Sequence, residues 1–207
     1  MGQPDDDELW TAVTRGDAEA FGLLFERHVR RVYNYCFQRT GDWARAEDLT
    51  SIVFLECWRR REVSLERDKV LAWLLGIATN VCRNQKRSLA RHRAALRRLP
   101  PAEPTAEFTD DILGRLEDER RMRDVLTVVS RLPRHEQDAL ALCIWAGLNY
   151  EDAAAALGIP VGTVRSRLAR ARRSLRREIA KGRAGGAGGH RALADVHPRR
   201  GAEHNAG

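Results

Sequence analysis

Apolar positions recur every three or four residues through the first part of the chain, which is the spacing of one face of an α-helix. Between residues 17 and 39 one such stripe consists of Phe21, Leu24, Phe25, His28, Val32, Tyr35 and Cys36. Asp17 is a suitable N-cap for this helix, and the segment TGD at 40–42 ends it. Two further helices are predicted over 43–60 and 69–87. No alternating run long enough for a strand appears, so the pattern predicts an all-α fold.

The helical pattern stops at a segment rich in proline, RLPPAEPTAEFTDD, and resumes near residue 117. Clusters of proline between periodic segments are typical of linkers. The chain is therefore expected to form two helical domains, residues 1–90 and 119–181, joined by a flexible linker at 91–118. Residues 182–207 are rich in glycine and alanine and lack periodicity, which predicts a disordered C-terminal tail.

The second domain contains the pattern of a helix-turn-helix. Its long helix ends at Gly147, and Asn149 can then cap a short helix with a small apolar face. Gly158 permits a sharp turn, and Pro160 can begin the next helix because its missing amide hydrogen is not needed in a first turn. A short helix, a glycine-containing turn and a second helix are the parts of this DNA-binding motif.

The last predicted helix separates apolar from basic residues. Val164, Leu168, Ala171, Leu175 and Ile179 form one continuous apolar stripe. Seven arginines occupy the remaining faces. Because Lys181 and Glu178 cancel, residues 160–181 have a net charge of +7, which equals that of the whole chain. A local excess of this size favours a polyanionic partner. The alternative is a solvated basic helix, and a bias in codon usage is an equal explanation for arginine in place of lysine.

The sequence gives little support for disulfide, metal, cofactor or catalytic sites. The four cysteines, Cys36, Cys57, Cys82 and Cys143, form no CxxC pair, and each lies among apolar residues, which indicates buried reduced thiols. No metal site, cofactor site, catalytic triad or phosphate loop is apparent, so the chain is not expected to be an enzyme. The acidic N-terminus does not resemble a signal peptide, and no apolar run is long enough to span a membrane. These features predict a cytoplasmic protein.

Several of these motifs resemble the extracytoplasmic-function sigma factors of the sigma-70 family. The segment GLNYEDAAAALGIPVGTVRSRLARAR is similar to their region 4. GDAEAFGLLFERH, GDWARAEDLTSIVFLECW and AWLLGIATNVCRNQKR resemble region 2, in the same order. The resemblance implies a protein that binds core RNA polymerase, directs it to particular promoters and helps to open the DNA.

The resemblance also assigns residues to three surfaces. Contacts to the −35 promoter element are expected from Pro160, Gly162, Thr163, Arg165, Ser166 and Arg170. Contacts to the −10 element are expected from Asn80, Arg83, Asn84, Lys86 and Arg87. Contacts to core polymerase are expected from Asp48, Leu49, Phe54 and Trp58.

Promoter DNA and core polymerase are thus the expected partners. An anti-sigma factor is a further candidate, since many members of this group are held inactive by one. The alternative function is a helix-turn-helix transcriptional regulator, in which the N-terminal helices form a sensor or dimerisation domain. Such a regulator binds DNA unaided and does not require polymerase.

Overall fold

The computed structural model describes the backbone of residues 4–66, 68–96 and 110–184, and the side chains of 4–66, 68–85 and 114–181. These residues form helices and no strand, which confirms the all-α prediction. The helices are α1 (Asp6–Thr14), α2 (Ala18–Thr40), α3 (Trp43–Arg59), α4 (Val70–Leu96), α5 (Asp110–Val129), α6 (Arg134–Leu140), α7 (Tyr150–Leu157) and α8 (Val161–Ala184). Residues 97–109 of the predicted linker and 185–207 of the predicted tail lie outside the described part of the chain.

Helices α1 to α4 form a first module around one apolar core. Most of the stripe predicted along α2 faces this core, where Leu24, Val32 and Cys36 are almost fully buried, whereas Phe25 is 39% exposed. The hydroxyls of Tyr35 and Thr79 lie 2.7 Å apart inside it, so α2 and α4 are joined by a buried hydrogen bond. Because a buried hydroxyl without a partner is costly, this bond fixes how the two helices are aligned.

Helix α1 was not predicted. Asp5 and Glu8 form a reciprocal capping box at its start, and this pair was a usable signal in the sequence. Trp10 anchors the helix, since its ring packs edge-on against Trp73 at 4.8 Å and its indole N–H donates to the carbonyl of Val63. Trp73 is therefore engaged in packing within the first module.

Helices α5 to α8 form a second module with a core of its own. This core contains Val125, Val129, Leu132, Leu140, Leu168 and Ala171. Helix α6 continues into a π-helical turn, Ala141–Trp145, in which the amide of Ala146 donates to the carbonyl of Ala141. Gly147 has a φ of +72° and ends this run, as the sequence predicted.

The helices extend further into the predicted linker than expected. Helix α4 was predicted to end near residue 87 but continues to Leu96, and α5 begins at Asp110 rather than near residue 117. Residues 88–96 are mainly alanine, leucine and arginine, which favour helix even where the apolar pattern has ended. The acidic start of α5 suits the positive end of the helix dipole.

The two modules are packed against each other. Helix α4 lies along α7, and a single apolar cluster includes Leu74 and Ile77 of the first module with Leu148 and Ala154 of the second. None of the helices among the described residues combines the length and the apolar character needed to cross a bilayer.

Two leucines on α3 test the position of the first core. Leu49 is 1% exposed and Leu55 is 49% exposed. We expect Leu49→Ala to lower the free energy of unfolding by about 2–5 kcal/mol, because the vacated volume cannot fully close. Leu55→Ala should change it by less than about 0.5 kcal/mol. Urea unfolding followed by circular dichroism measures both, and equal losses would contradict the assignment.

Candidate nucleic-acid interface

The predicted helix-turn-helix is formed by α7 and α8. The side chain of Asn149 accepts a 2.8 Å hydrogen bond from the amide of Asp152, which caps α7 as predicted. Gly158 has a φ of +63° and ends α7 in the left-handed conformation that favours glycine. Pro160 differs slightly from the prediction, because it precedes α8 rather than lying inside its first turn. Its carbonyl accepts from the amides of Thr163 and Val164.

Burial of one side of α8 determines where its arginines point. Val164, Leu168 and Ala171 of the predicted stripe are at most 1% exposed, and Leu175 and Ile179 are half-buried. A helix fixed along this stripe must turn its other faces to solvent. The arginines are accordingly exposed, apart from Arg167, which is half-buried.

The exposed arginines are poorly neutralised. Among the described residues, only Arg170 of the seven forms an ion pair, in which its Nε lies 3.3 Å from Glu136 Oε1. Arg177 donates only to the hydroxyl of Ser174, and the guanidinium of Arg165 lies 5.6 Å from the centre of the Tyr150 ring. The remaining charges are free to bind an anion, and helix N-termini add a favourable dipole for phosphate.

The structure brings the predicted −35 residues together at the N-terminal end of α8. Thr163 is half-buried, and the other five, Pro160, Gly162, Arg165, Ser166 and Arg170, are exposed. Sequence reasoning missed two residues that contact this set. Tyr150 lies beneath Arg165, and Glu136 from α6 lies beside Arg170. Neither contact follows a helical period, so the sequence carried no signal for them.

The predicted −10 residues lie on α4, and Asn80, Arg83 and Asn84 share one face of it. Asn80 and Asn84 are exposed, and Arg83 donates to the side-chain oxygen of Asn80 at 3.4 Å. Arg83 also forms an ion pair with Asp138 of the second module. Lys86 and Arg87 belong to α4, but their side chains lie outside the described residues.

An apolar groove runs between α2 and α3. It has a volume of about 480 Å³ and is lined by Ala18, Phe21, Phe25, Ser51, Phe54, Leu55 and Trp58. Phe25 and Leu55 are 39% and 49% exposed and line the same groove, so they form part of one contiguous apolar patch. Exposed apolar surface of this kind marks interaction sites.

The groove contains two of the four residues predicted to contact polymerase. Phe54 and Trp58 line it, and Asp48 is exposed on the same helix. Leu49 is 1% exposed and packs inside the module, so its side chain is not accessible to a partner in this structure. Phe21, Phe25 and Leu55 also line the groove and were not singled out in the sequence, because periodicity alone does not distinguish a residue facing the core from one lining a surface groove.

The cysteines take no part in these surfaces. All four are free thiols, and Cys36, Cys57 and Cys82 are buried, in agreement with the sequence analysis. Burial raises the pKa of the Cys57 thiol to about 12, so it stays protonated at neutral pH.

Two family models match the chain in order. Sigma-70 region 2 matches residues 24–92, and Sigma-70, region 4 matches residues 122–175. The ECF RNA polymerase sigma factor SigE of Mycolicibacterium smegmatis is 32% identical over 191 residues, which are 86% of this chain and 71% of that protein. The RNA polymerase sigma-H factor of Pseudomonas aeruginosa is 32% identical over 186 residues, 84% of this chain and 93% of that protein.

Solved structures share the fold. CnrH in complex with the cytosolic domain of CnrY aligns with a TM-score of 0.63 and 22% identity, covering 85% of this chain and 97% of that one. The sigma factor RpoE in complex with the anti-sigma factor NepR, from Bartonella quintana, aligns with a TM-score of 0.58 and 21% identity, covering 79% and 98%.

Proposed function

The chain belongs to the extracytoplasmic-function group of the sigma-70 family, and on that basis we propose that it directs core RNA polymerase to particular promoters and assists DNA opening. The observation that carries the proposal is the pairing of two modules, matched to region 2 and region 4, with an exposed arginine face on the second. The named relatives are RNA polymerase sigma factors.

The second module is proposed to bind the −35 element through α8. Recognition helices of this motif enter the major groove with their N-terminal residues. Arg165 and Arg170 stand at that end and suit the O6 and N7 acceptors of guanine. Arg172, Arg173, Arg176 and Arg177 follow on the exposed faces and suit phosphates, which supply affinity but little sequence information.

The first module is proposed to hold the −10 element along α4. Extruding a base from the DNA stack costs a few kcal/mol. A surface that binds the separated strand offsets this cost, and no covalent bond needs to be broken. Asn80 is exposed where the flipped base is expected, and Arg83 and Asn84 lie next to it. Promoter opening is then a binding equilibrium, so the chain is proposed to act as an initiation factor and not as an enzyme.

The groove between α2 and α3 is proposed to bind core polymerase. Its lining is almost wholly apolar, and Phe25, Phe54 and Trp58 are large rings of the kind enriched at protein interfaces. This function places the chain in the cytoplasm with the polymerase. The alternative of a regulator with a sensor domain is not favoured, because the N-terminal helices match sigma region 2.

A transcription assay with purified components tests the proposed function. Core polymerase mixed with the chain should initiate at specific sites on genomic DNA fragments, and polymerase alone should not. Absence of specific initiation, together with binding of the chain to DNA in the absence of polymerase, would favour the regulator instead.

A charge placed in the groove should disrupt polymerase binding. We expect Leu55→Asp to weaken association with core polymerase by about tenfold or more, because the carboxylate would lose water on docking. Leu23→Asp is the matched control, since Leu23 is a 43% exposed leucine on α2 that does not line the groove. Biolayer interferometry with immobilised polymerase measures both affinities, and similar losses for the two variants would refute the assignment of the groove.

Two arginines on α8 should have different effects on DNA binding. Arg165→Ala should lower the discrimination between a selected −35 duplex and its scrambled form by about 1–3 kcal/mol, as expected for a base contact. Arg176→Ala should weaken binding to both duplexes alike and reduce the salt slope by about 1. Fluorescence anisotropy over a range of salt concentrations measures both quantities. The same loss on both duplexes for both variants would count against this division of roles.

A further inference from the structure

The ion pair between Glu136 and Arg170 is buried on one side only. Glu136 of α6 is 5% exposed, whereas the side chain of Arg170 on α8 is 48% exposed. Glu136 Oε1 lies 3.3 Å from Arg170 Nε. Glu136 Oε2 is buried and has no hydrogen-bond partner within the described part of the chain. A buried carboxylate therefore contacts the inner nitrogen of an arginine that is half exposed.

Stability does not account for this contact. Removal of a carboxylate from water is costly, and an oxygen left without a hydrogen bond adds to the cost. The cationic neighbours of Glu136 are Arg170 and the more distant ring of His135, whose Nε2 lies 4.0 Å from Oε1. Both side chains are half exposed, so they offset only part of that cost. An apolar side chain of similar length would fill the space without it, and what the carboxylate adds is its effect on Arg170.

We propose that Glu136 is a specificity-determining residue, which holds Arg170 in position to read a guanine of the −35 element. The inference rests on the proposed function, in which Arg170 contacts that element. With Nε beside the carboxylate, the two terminal nitrogens of the guanidinium remain as a planar fork of donors. Such a fork suits the O6 and N7 acceptors of guanine.

The ion pair reduces the entropy that Arg170 loses on binding DNA. A free arginine side chain samples many rotamers, and ordering it weakens the contact that it makes. Contact with a residue fixed in the core of the second module restricts this freedom before DNA arrives. Thr163, Ser166 and Arg170 are spaced by three and four residues on α8, so the restricted side chain shares a face with other residues assigned to the −35 element.

Glu136 also changes the preference of Arg170 between a base and a phosphate. Attraction to a phosphate depends on charge, and a neighbouring carboxylate cancels part of it. Hydrogen bonds to guanine depend on the geometry of the donors, which the carboxylate leaves intact. Arg172, Arg173 and Arg176 form no ion pair with any described residue and keep their full charge for the DNA backbone. One carboxylate thus distinguishes a base-reading arginine from its neighbours.

Base substitutions across a −35 duplex test the inference. The probe is a duplex that the natural chain selects from a random pool, together with its single base-pair replacements, and binding of the full chain is followed by fluorescence anisotropy. Arg170→Ala identifies the guanine that Arg170 reads. At that base pair alone we expect Glu136→Gln to lower discrimination about fivefold, the lower end of what a bidentate contact supplies. Glu136→Gln should also bind a scrambled duplex more tightly, because the charge of Arg170 is no longer offset.

Three further variants separate position from charge. Glu178→Gln is the matched control, because it removes a carboxylate from the same module that pairs with Arg131, a residue with no proposed role in DNA binding. It should leave discrimination unchanged at every position. Glu136→Asp keeps the charge but withdraws the carboxylate from Arg170, so it should lower discrimination at the same base pair. Adding Glu136→Gln to Arg170→Ala should cause no further loss. Thermal unfolding followed by circular dichroism checks that each variant is folded.

The outcomes separate this inference from the proposed function. Unchanged discrimination in both Glu136 variants would overturn the inference. A loss spread over all positions, or an equal loss in Glu178→Gln, would overturn it too, since either indicates a general effect of structure or charge. A natural chain without a guanine preference that depends on Arg170 would also refute it. If core polymerase fails to initiate with the chain, the proposed function is wrong, and the measurements on chain and duplex alone still decide the role of Glu136.

Discussion

Between Arg165 and Arg177 helix α8 carries seven arginines and no carboxylate, and this arrangement is stable only because the opposite side of the helix is buried. Each pair of like charges one turn apart costs a few tenths of a kcal/mol. Burial of Val164 and Leu168 stabilises the folded chain by about 1.5–3 kcal/mol each. Apolar burial therefore exceeds charge repulsion, and the helix is fixed with its arginines outward. Val164 belongs to the apolar cluster shared by the two modules and Leu168 to the core of the second, and their burial determines which side of α8 faces solvent.

The periodic parts of the fold could be predicted from the sequence. The stripes along α2 and α8 and the caps at Asp17 and Asn149 are local signals, and the structure reproduces them. Helix α1 was missed although its capping box was present, because the apolar face of that helix is short. The full lengths of α4 and α5 were also missed, since their inner ends are favoured by residue propensity and helix dipole rather than by an apolar stripe.

Contacts between distant residues could not be predicted. Arg39 and Asp138 are 99 residues apart, and nothing in the local pattern at either position indicates the other. The same limit applies to the accessibility of Leu49. Helix α3 has apolar residues on more than one side, and the sequence does not show which side faces the core. Only the packing of α2 against α3 shows that Leu49 is buried and Leu55 lies at the surface. Which residues are exposed depends on tertiary packing, whereas the position of a helix can be predicted from local sequence.

The π-helical turn at Ala141–Trp145 affects the direction of α7 and α8, which follow it in the chain. A π turn contains one residue more than an α turn, and each residue of a helix turns the chain by about 100°. Loss of a single residue here would restore regular α-helix and swing α7 and α8 around the axis of α6 by that angle. The arginine face would then point elsewhere with its composition intact. The length of this one turn therefore sets the direction of the surface proposed to bind DNA, as its side chains set the composition of that surface.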